Sequence, residues 1–253
     1  MYRQHMADVG NPKPAKVWDA RAQQMSADAR IGEYGQALIA KMDLSGCQSL
    51  LDVGCGTGAI SVELSKQLSL VHGIDFSPQM LACTQNLAQS HSRTNVTCQL
   101  KSWTDDWDDV PVCDVALASR STAVMDMEPA LLKLQSKARK RIYLTSLVGG
   151  QFADARLLNI IGRQNVAPLP SPIYIINILG KIGCRPKLDY IPSASRYCGA
   201  TDEQSFIDLV ISGLGPLSQH EQIRLFDWIQ IQGSMPAIDS ALSHQWALIS
   251  WES

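Results

Sequence analysis

The chain has 253 residues, 45% of them hydrophobic and 18% charged, and carries a formal net charge of -2. That suits one large domain, or one domain with a lid, and gives no compositional reason to expect disorder. So even a charge balance leaves no electrostatic footprint for a phosphate backbone, which argues against nucleic acid as a partner.

The first residues, MYRQHMADVGNPKPAKVWD, have no apolar core of signal-peptide length. Residues 1–15 read as a loose leader, with Pro12 and Pro14 opposing helix. Trp18, Ala22 and Met25, then Tyr34, Leu38 and Met42, recur at helical spacing and predict one or two helices from Val17 to Met42. A regular alternation follows. Strands are predicted at Ser49–Val53, Leu70–Ile74, Val96–Leu100, Val112–Ala118 and Arg141–Leu147, with helices at Gly58–Gln67, Pro78–Gln89 and Glu128–Ala138 between them. The basic run Lys137-Ala138-Arg139-Lys140-Arg141 reads as a solvated helix end.

Gly149 to Pro170 is polar and weakly periodic and reads as a lid or cap. Beyond it come a helix at Pro172–Gly183 and a strand within Lys187–Cys198. A further helix, announced by the N-cap signature Thr201-Asp202-Glu203-Gln204, runs through Ile211. Another helix fits Glu221–Gln232, and the alternating tail HQWALISWES suits a final strand. The longest apolar stretch, Ile173 to Ile182, is broken by Asn177, Gly180 and Lys181, well short of the roughly 20 residues a membrane span needs. Seven cysteines lie scattered without a CxxC pair or a histidine at metal-ligand spacing, so no metal is expected; they read as small fillers in a reducing cytoplasm.

Strands alternating with helices of about ten residues imply a parallel, doubly wound sheet, with its ligand site at the carboxyl ends of the strands. The first strand runs into Asp52-Val53-Gly54-Cys55-Gly56-Thr57-Gly58. Glycines there allow positive φ and let a ligand come close to the backbone. Their spacing alone also satisfies a dinucleotide fingerprint, Gly54-x-Gly56-x-x-Ala59 with Asp75 in the next strand. Other features argue for a different ligand. Asp52 ahead of the turn suits a cationic group better than a pyrophosphate. GIDFSPQML then delivers Asp75, an N-cap Ser77 and Pro78.

LLDVGCGTG, GIDFSPQML and CDVALASRS together resemble the class I S-adenosylmethionine (SAM)-dependent methyltransferases, notably the type 11-like branch typified by quinone-biosynthesis enzymes, over roughly residues 34–147. The resemblance implies an α/β, Rossmann-like, mostly parallel seven-stranded sheet with an antiparallel last strand, a helical N-terminal lid and inserted helices. It implies a lid or leader over residues 1–35, a SAM-binding core over 36–148, and an acceptor-side cap with the remaining strands over 149–253. It places Gly54, Cys55, Gly56 and Gly58 along the amino-acid part of the cofactor, with Cys55 packing rather than reacting. Asp52 would orient the cofactor's ammonium and Asp75 would accept from both ribose hydroxyls. Phe76 would lie on the adenine face, unless it is plain core. Ser102 stands where such enzymes usually carry an acid for the adenine amino group, a departure that leaves Trp103 beside it to offer its ring or backbone. Ser119 would line the methionine portion. Trp18 and Tyr34 either close over the cofactor or serve helix packing.

The implied activity is methyl transfer from SAM to a small-molecule acceptor, with orientation as the protein's main task. No histidine sits predictably at the active end, so no catalytic residue is assigned. The Asn/Asp-Pro-Pro-aromatic motif of amino-methylating enzymes is absent. Arg120, Arg163, Tyr174 and Asn177 are the candidates for the acceptor side, and the arginines suggest an anionic acceptor unless they are ordinary surface charges. A non-catalytic SAM-binding module and a nicotinamide-dependent oxidoreductase are the other readings.

Overall fold

The computed structural model describes residues 1–10, 12–27 and 31–253. Three helices, α1 (Tyr2–Val9), α2 (Ala15–Ala27) and α3 (Glu33–Lys41), precede the alternating region. This runs β1 (Ser49–Val53), α4 (Ala59–Leu64), β2 (Leu70–Asp75), α5 (Pro78–Ser90), β3 (Val96–Leu100), β4 (Cys113–Ala118), α6 (Met127–Ser136) and β5 (Ala138–Leu147). Then come α7 (Ala153–Ile160), α8 (Pro172–Lys181), β6 (Lys187–Ser193), α9 (Glu203–Leu214), α10 (Gln219–Gln232), α11 (Met235–Leu242) and β7 (His244–Glu252).

The strands form one seven-stranded sheet in the order β3-β2-β1-β4-β5-β7-β6. β1 pairs in parallel with β2, Val53 opposite Ile74, and with β4, Asp52 opposite Leu117. Leu50, Leu51, Asp52 and Val53 are all buried in succession, as a parallel strand covered on both faces requires. β7 runs antiparallel to β5: Ser253 N donates to Lys140 O and Val148 N to Gln245 O, so one number rises as the other falls. Strand order reverses between β1 and β4, and the crevice beyond their carboxyl ends is where ligands of such sheets bind.

Two compact units divide the chain. One comprises Met1–Ser146, Pro172–Ile191 and Ala247–Ser253 and carries the sheet; the other comprises Leu147–Ser171 and Pro192–Trp246. The second has its own core, in which Leu157 and Ile161 meet Tyr197, Phe206, Val210, Leu225, Ile229, Ile238 and Leu242.

Several expectations need correction. Residues 2–9 are helical, not a loose leader. Tyr2 and Met6, four apart, are buried, and Pro12 and Pro14 lie beyond the Gly10 C-cap, where they stop α1 without affecting it upstream. Residues 149–170 contain α7, whose Ala153 and Leu157 bury one face behind the polar residues that dominate the segment. α9 is capped by Asp202, one residue later than its signature suggested, through a box with Ser205. α11, opened by Ser234 with a proline in its first turn, was not foreseen. The basic run is a helix end only at Lys137, the C-cap of α6; the rest is strand. It opens β5, where Arg141 pairs with Asp43 at 2.9 Å and Lys140 with Asp114 at 3.7 Å.

Candidate active site

The turn from β1 into α4 needs left-handed backbone at Gly54, Gly56 and Gly58, with φ of +73°, +58° and +84°. Gly54 and Gly56 have different neighbours. A Cβ on Gly54 would collide with Ser121 Cβ, so the segment after β4 closes directly on this glycine. Ser121 is anchored there by donating to Val53 O at 2.6 Å. A Cβ on Gly56 would meet nothing within 4 Å and would project into open space. Four amides of this turn are spent internally: Gly54 and Cys55 donate to Ile74 O, Gly58 donates to Cys55 O, and Gly56 donates to Asp75. At these four positions what the turn offers a ligand is clearance. Cys55 packs its Sγ over Gly73 of β2, where a side chain would come within 2.9 Å of it, and burial pushes its thiol well above the usual range.

Two carboxylates flank the turn. Asp52, 2% exposed, accepts from Ser61 Oγ of α4 at 2.6 Å. Burial, and secondarily the charge of Asp75, raises its pKa to about 6. Asp75 accepts from Gly56 N at 3.0 Å and from Ser77 N at 2.9 Å, one bond to each oxygen. Burial pushes it up too, against those backbone bonds. A carboxylate has about four acceptor positions, so roughly two remain on Asp75. Phe76, next in line, is 38% exposed. Ser77 caps α5 through Met80 N, and its own hydroxyl donates to Asp19 of α2 at 2.6 Å. Asp19 also accepts from Gln79 N, so α2 helps hold the loop that carries Asp75.

At the end of β3, Ser102 N donates to Asp105 at 2.7 Å, and Ser102 O accepts from the Trp107 indole. Trp103 turns its indole N–H to Ser121 O at 2.8 Å and packs against Trp107, while Lys133 donates to the carbonyls of Trp103 and Asp105. The only acid this turn brings back to Ser102, among the described residues, is thus Asp105, three positions later. At the end of β4, Ser119 Oγ lies 2.9 Å from Tyr34 OH, which also lies 3.0 Å from Thr145 Oγ1. Arg120 N donates to that same Thr145 Oγ1, and the guanidinium sits 4.3 Å over the Tyr34 ring.

The acceptor-side candidates fare differently. Tyr174 of α8 packs edge-on against Tyr2 and His5 of α1, in the unit that carries the glycine turn. Asn177 is exposed on the same helix. Arg163 belongs to the other unit, where it holds Glu221 with two nitrogens and donates to Leu214 O and Pro216 O. Four of its N–H donors serve those contacts, which leaves little for a substrate. Asp19, Asp105, Thr145 and Thr84, whose hydroxyl donates to Gly56 O at 2.7 Å, were not singled out from the sequence. Only Asp105 had a local signal, the Ser-x-x-Asp turn; the others reach the site from other elements.

A family model described as a methyltransferase domain matches residues 45–156, the stretch that builds this crevice. The chain thus carries a methyltransferase domain, on a fold shared with the class I SAM-dependent methyltransferases. An uncharacterized protein of Haemophilus influenzae is 36% identical over 99% of this chain and 94% of its own length. An uncharacterized methyltransferase of Schizosaccharomyces pombe is 34% identical over 29% of this chain and 28% of its own. Among solved structures, magnesium protoporphyrin IX methyltransferase of Synechocystis with bound S-adenosylhomocysteine aligns with a TM-score of 0.53 and 16% identity. It covers 99% of this chain and 93% of its own, a likeness of fold.

Proposed function

We propose that this chain catalyses transfer of the SAM methyl group to a small-molecule acceptor by in-line displacement, in a reducing cytoplasm. The observation that carries the reading is the pairing of an unobstructed glycine with two buried, under-partnered carboxylates at one end of the sheet. Among the described residues, Gly56 leaves open space where a side chain would stand, Asp52 accepts a single hydrogen bond, and Asp75 keeps spare acceptor positions. These residues fit SAM. Asp75 would take the two ribose hydroxyls, Asp52 the ammonium, and Phe76 the adenine face, with Gly54 and Gly58 shaping the turn. Ser119 would line the methionine portion, and Ser102 with Trp103 would border the base.

When bound, SAM supplies an activated methyl on a sulfonium. The chain's own task is then to fix the acceptor on the line of attack and to keep water out. No residue is assigned as base, because a proton need be removed only from some acceptors. The free state of all seven cysteines supports a reducing compartment.

Calorimetry with S-adenosylhomocysteine, the product of the reaction, tests the cofactor half. Asp75→Asn should weaken it about 10- to 150-fold, since hydrogen bonds to a charged group contribute about 1.5–3 kcal/mol. Labelled-methyl transfer over a metabolite panel tests the acceptor half. Undiminished affinity in Asp75→Asn would remove the assignment.

A further inference from the structure

Among the described residues, Arg120 is one of two non-glycine residues with positive φ, at +56°, and it stands two residues past the end of β4. Left-handed backbone costs a side-chain-bearing residue about 1–2 kcal/mol and persists only where neighbours impose it. Here they do. Arg120 N donates to Thr145 Oγ1, Thr122 Oγ1 donates to Thr145 O, and Ser121 Oγ donates to Val53 O beside Gly54. Three consecutive residues are thus pinned to β1 and β5, and the first of them carries a long cationic side chain where glycine would be relaxed.

The side chain is equally constrained. Its guanidinium lies 4.3 Å over the ring of Tyr34, and that ring is fixed because its hydroxyl bonds both Ser119 and Thr145. Stacking on a ring face leaves the edge of the guanidinium fork free to meet a planar anion. Arg141, Arg163 and Arg196 each hold a carboxylate; Arg120, exposed, makes no ion pair among the described residues. The result is an oriented, unneutralised cation on a strained bend next to the glycine turn.

We infer that Arg120, on its Tyr34 platform, is a carboxylate-binding residue of this site. One guanidinium neutralises one unit of charge, which matches a carboxylate, and its two parallel N–H groups match the spacing of the two oxygens. The inference rests on the methyltransferase reading. The carboxylate belongs either to the amino-acid end of the cofactor or to the methyl acceptor, and the two sources are separable.

The experiment compares wild type, Arg120→Gly and Arg120→Lys. Glycine accepts the observed φ, so Arg120→Gly should melt no lower than wild type, whereas a purely structural arginine would leave a less stable protein. Calorimetry measures S-adenosylhomocysteine against its decarboxylated analogue. A second titration adds benzoate or benzamide to protein already saturated with S-adenosylhomocysteine. If the cofactor is the source, wild type prefers S-adenosylhomocysteine over the analogue by about tenfold or more and Arg120→Gly loses that preference. If the acceptor is the source, the first ratio is unchanged, while the loaded wild type prefers benzoate to benzamide and Arg120→Gly does not. Arg120→Lys, with charge but no fork, should fall between. The inference is overturned if wild type shows neither preference, or if Arg120→Gly keeps whichever wild type shows. Failure of wild type to bind S-adenosylhomocysteine at all would instead remove the underlying reading.

Discussion

Gly56 and Gly46 form a matched pair in which only one faces the crevice. Both have positive φ, +58° and +68°, and at both a Cβ would meet nothing within 4 Å. Gly46 lies in the exposed turn before β1. Alanine at either position should pay the left-handed cost of about 1–2 kcal/mol, offset by about 0.4–1 kcal/mol from a less flexible unfolded chain. The net is about 1 kcal/mol, a fall in Tm of about 2–4 °C for a chain this size. Binding should separate them. On the proposed reading the Gly56 methyl enters space that the cofactor would fill, and overfilling a close-packed contact costs about 1–3 kcal/mol, or about 5- to 150-fold in Kd. Gly46→Ala should bind S-adenosylhomocysteine as wild type does. Equal stability losses with affinities within about twofold of each other would refute the claim that Gly56 borders the cofactor.

Asp52 should make cofactor binding pH-dependent: affinity for S-adenosylhomocysteine falls as the pH drops through about 6, where the carboxylate protonates and stops attracting the ammonium, and Asp52→Asn should flatten that profile in calorimetry. Because its folded pKa lies above the ordinary 3.8, the ionised carboxylate opposes folding increasingly as pH rises from that value to about 6. Asp52→Asn should therefore stabilise the unliganded protein at pH 7 by about 1–3 kcal/mol in denaturant titrations. Glu221 shows the opposite sign: its hydrogen bond from Arg163, then that from Ser218 N, lowers its pKa to about 2. The stability it contributes is fully present above the ordinary glutamate range and lost as pH falls toward about 2, so Glu221→Gln should lower Tm at pH 7 and change little at the acid end. Arg163→Ala should likewise lower Tm and leave affinity for S-adenosylhomocysteine unchanged, which a fluorescence melt and one titration decide.

β1 and β3 were legible to the residue, because unbroken short runs bounded by Asp-x-Gly or Asn on one side and by a polar turn on the other leave few alternatives. The helices that escaped notice, α1, α7 and α11, are each eight residues long with two buried residues apiece, too short for periodicity to rise above the surrounding polar sequence. Asp52, Asp75 and the glycines were legible for a different reason. They are local: Asp52 and the glycines lie within one β-turn-α unit, β1 to α4, and Asp75 with Ser77 and Pro78 opens the next, β2 to α5. Thr145, Thr84 and Asp19 were not, because each reaches its partner across 25, 28 and 58 positions. Arg163 illustrates the converse. As a bare sequence it is an arginine near a presumed cap; its identity as a clamp depends on Glu221, 58 residues on.

The two carboxylates of the crevice are raised by the same cause, burial, and yet are built differently. Asp75 is tied by two backbone amides, one from the glycine turn and one from the start of α5, so it is part of the frame as well as of the site. Asparagine there would turn an NH2 toward one of those amides, two donors facing each other, at a cost of about 1–3 kcal/mol. Among the described residues Asp52 has one partner, the Ser61 hydroxyl, which asparagine can still satisfy with its oxygen. Neutralising Asp52 should thus strengthen the empty fold and neutralising Asp75 should weaken it, while both weaken cofactor binding. A buried acid that costs the unliganded fold stability has no structural reason to be charged; an incoming cation supplies one. On the proposed reading Asp52 is the residue whose charge a bound cation would justify, and a destabilising Asp52→Asn would return it to the core.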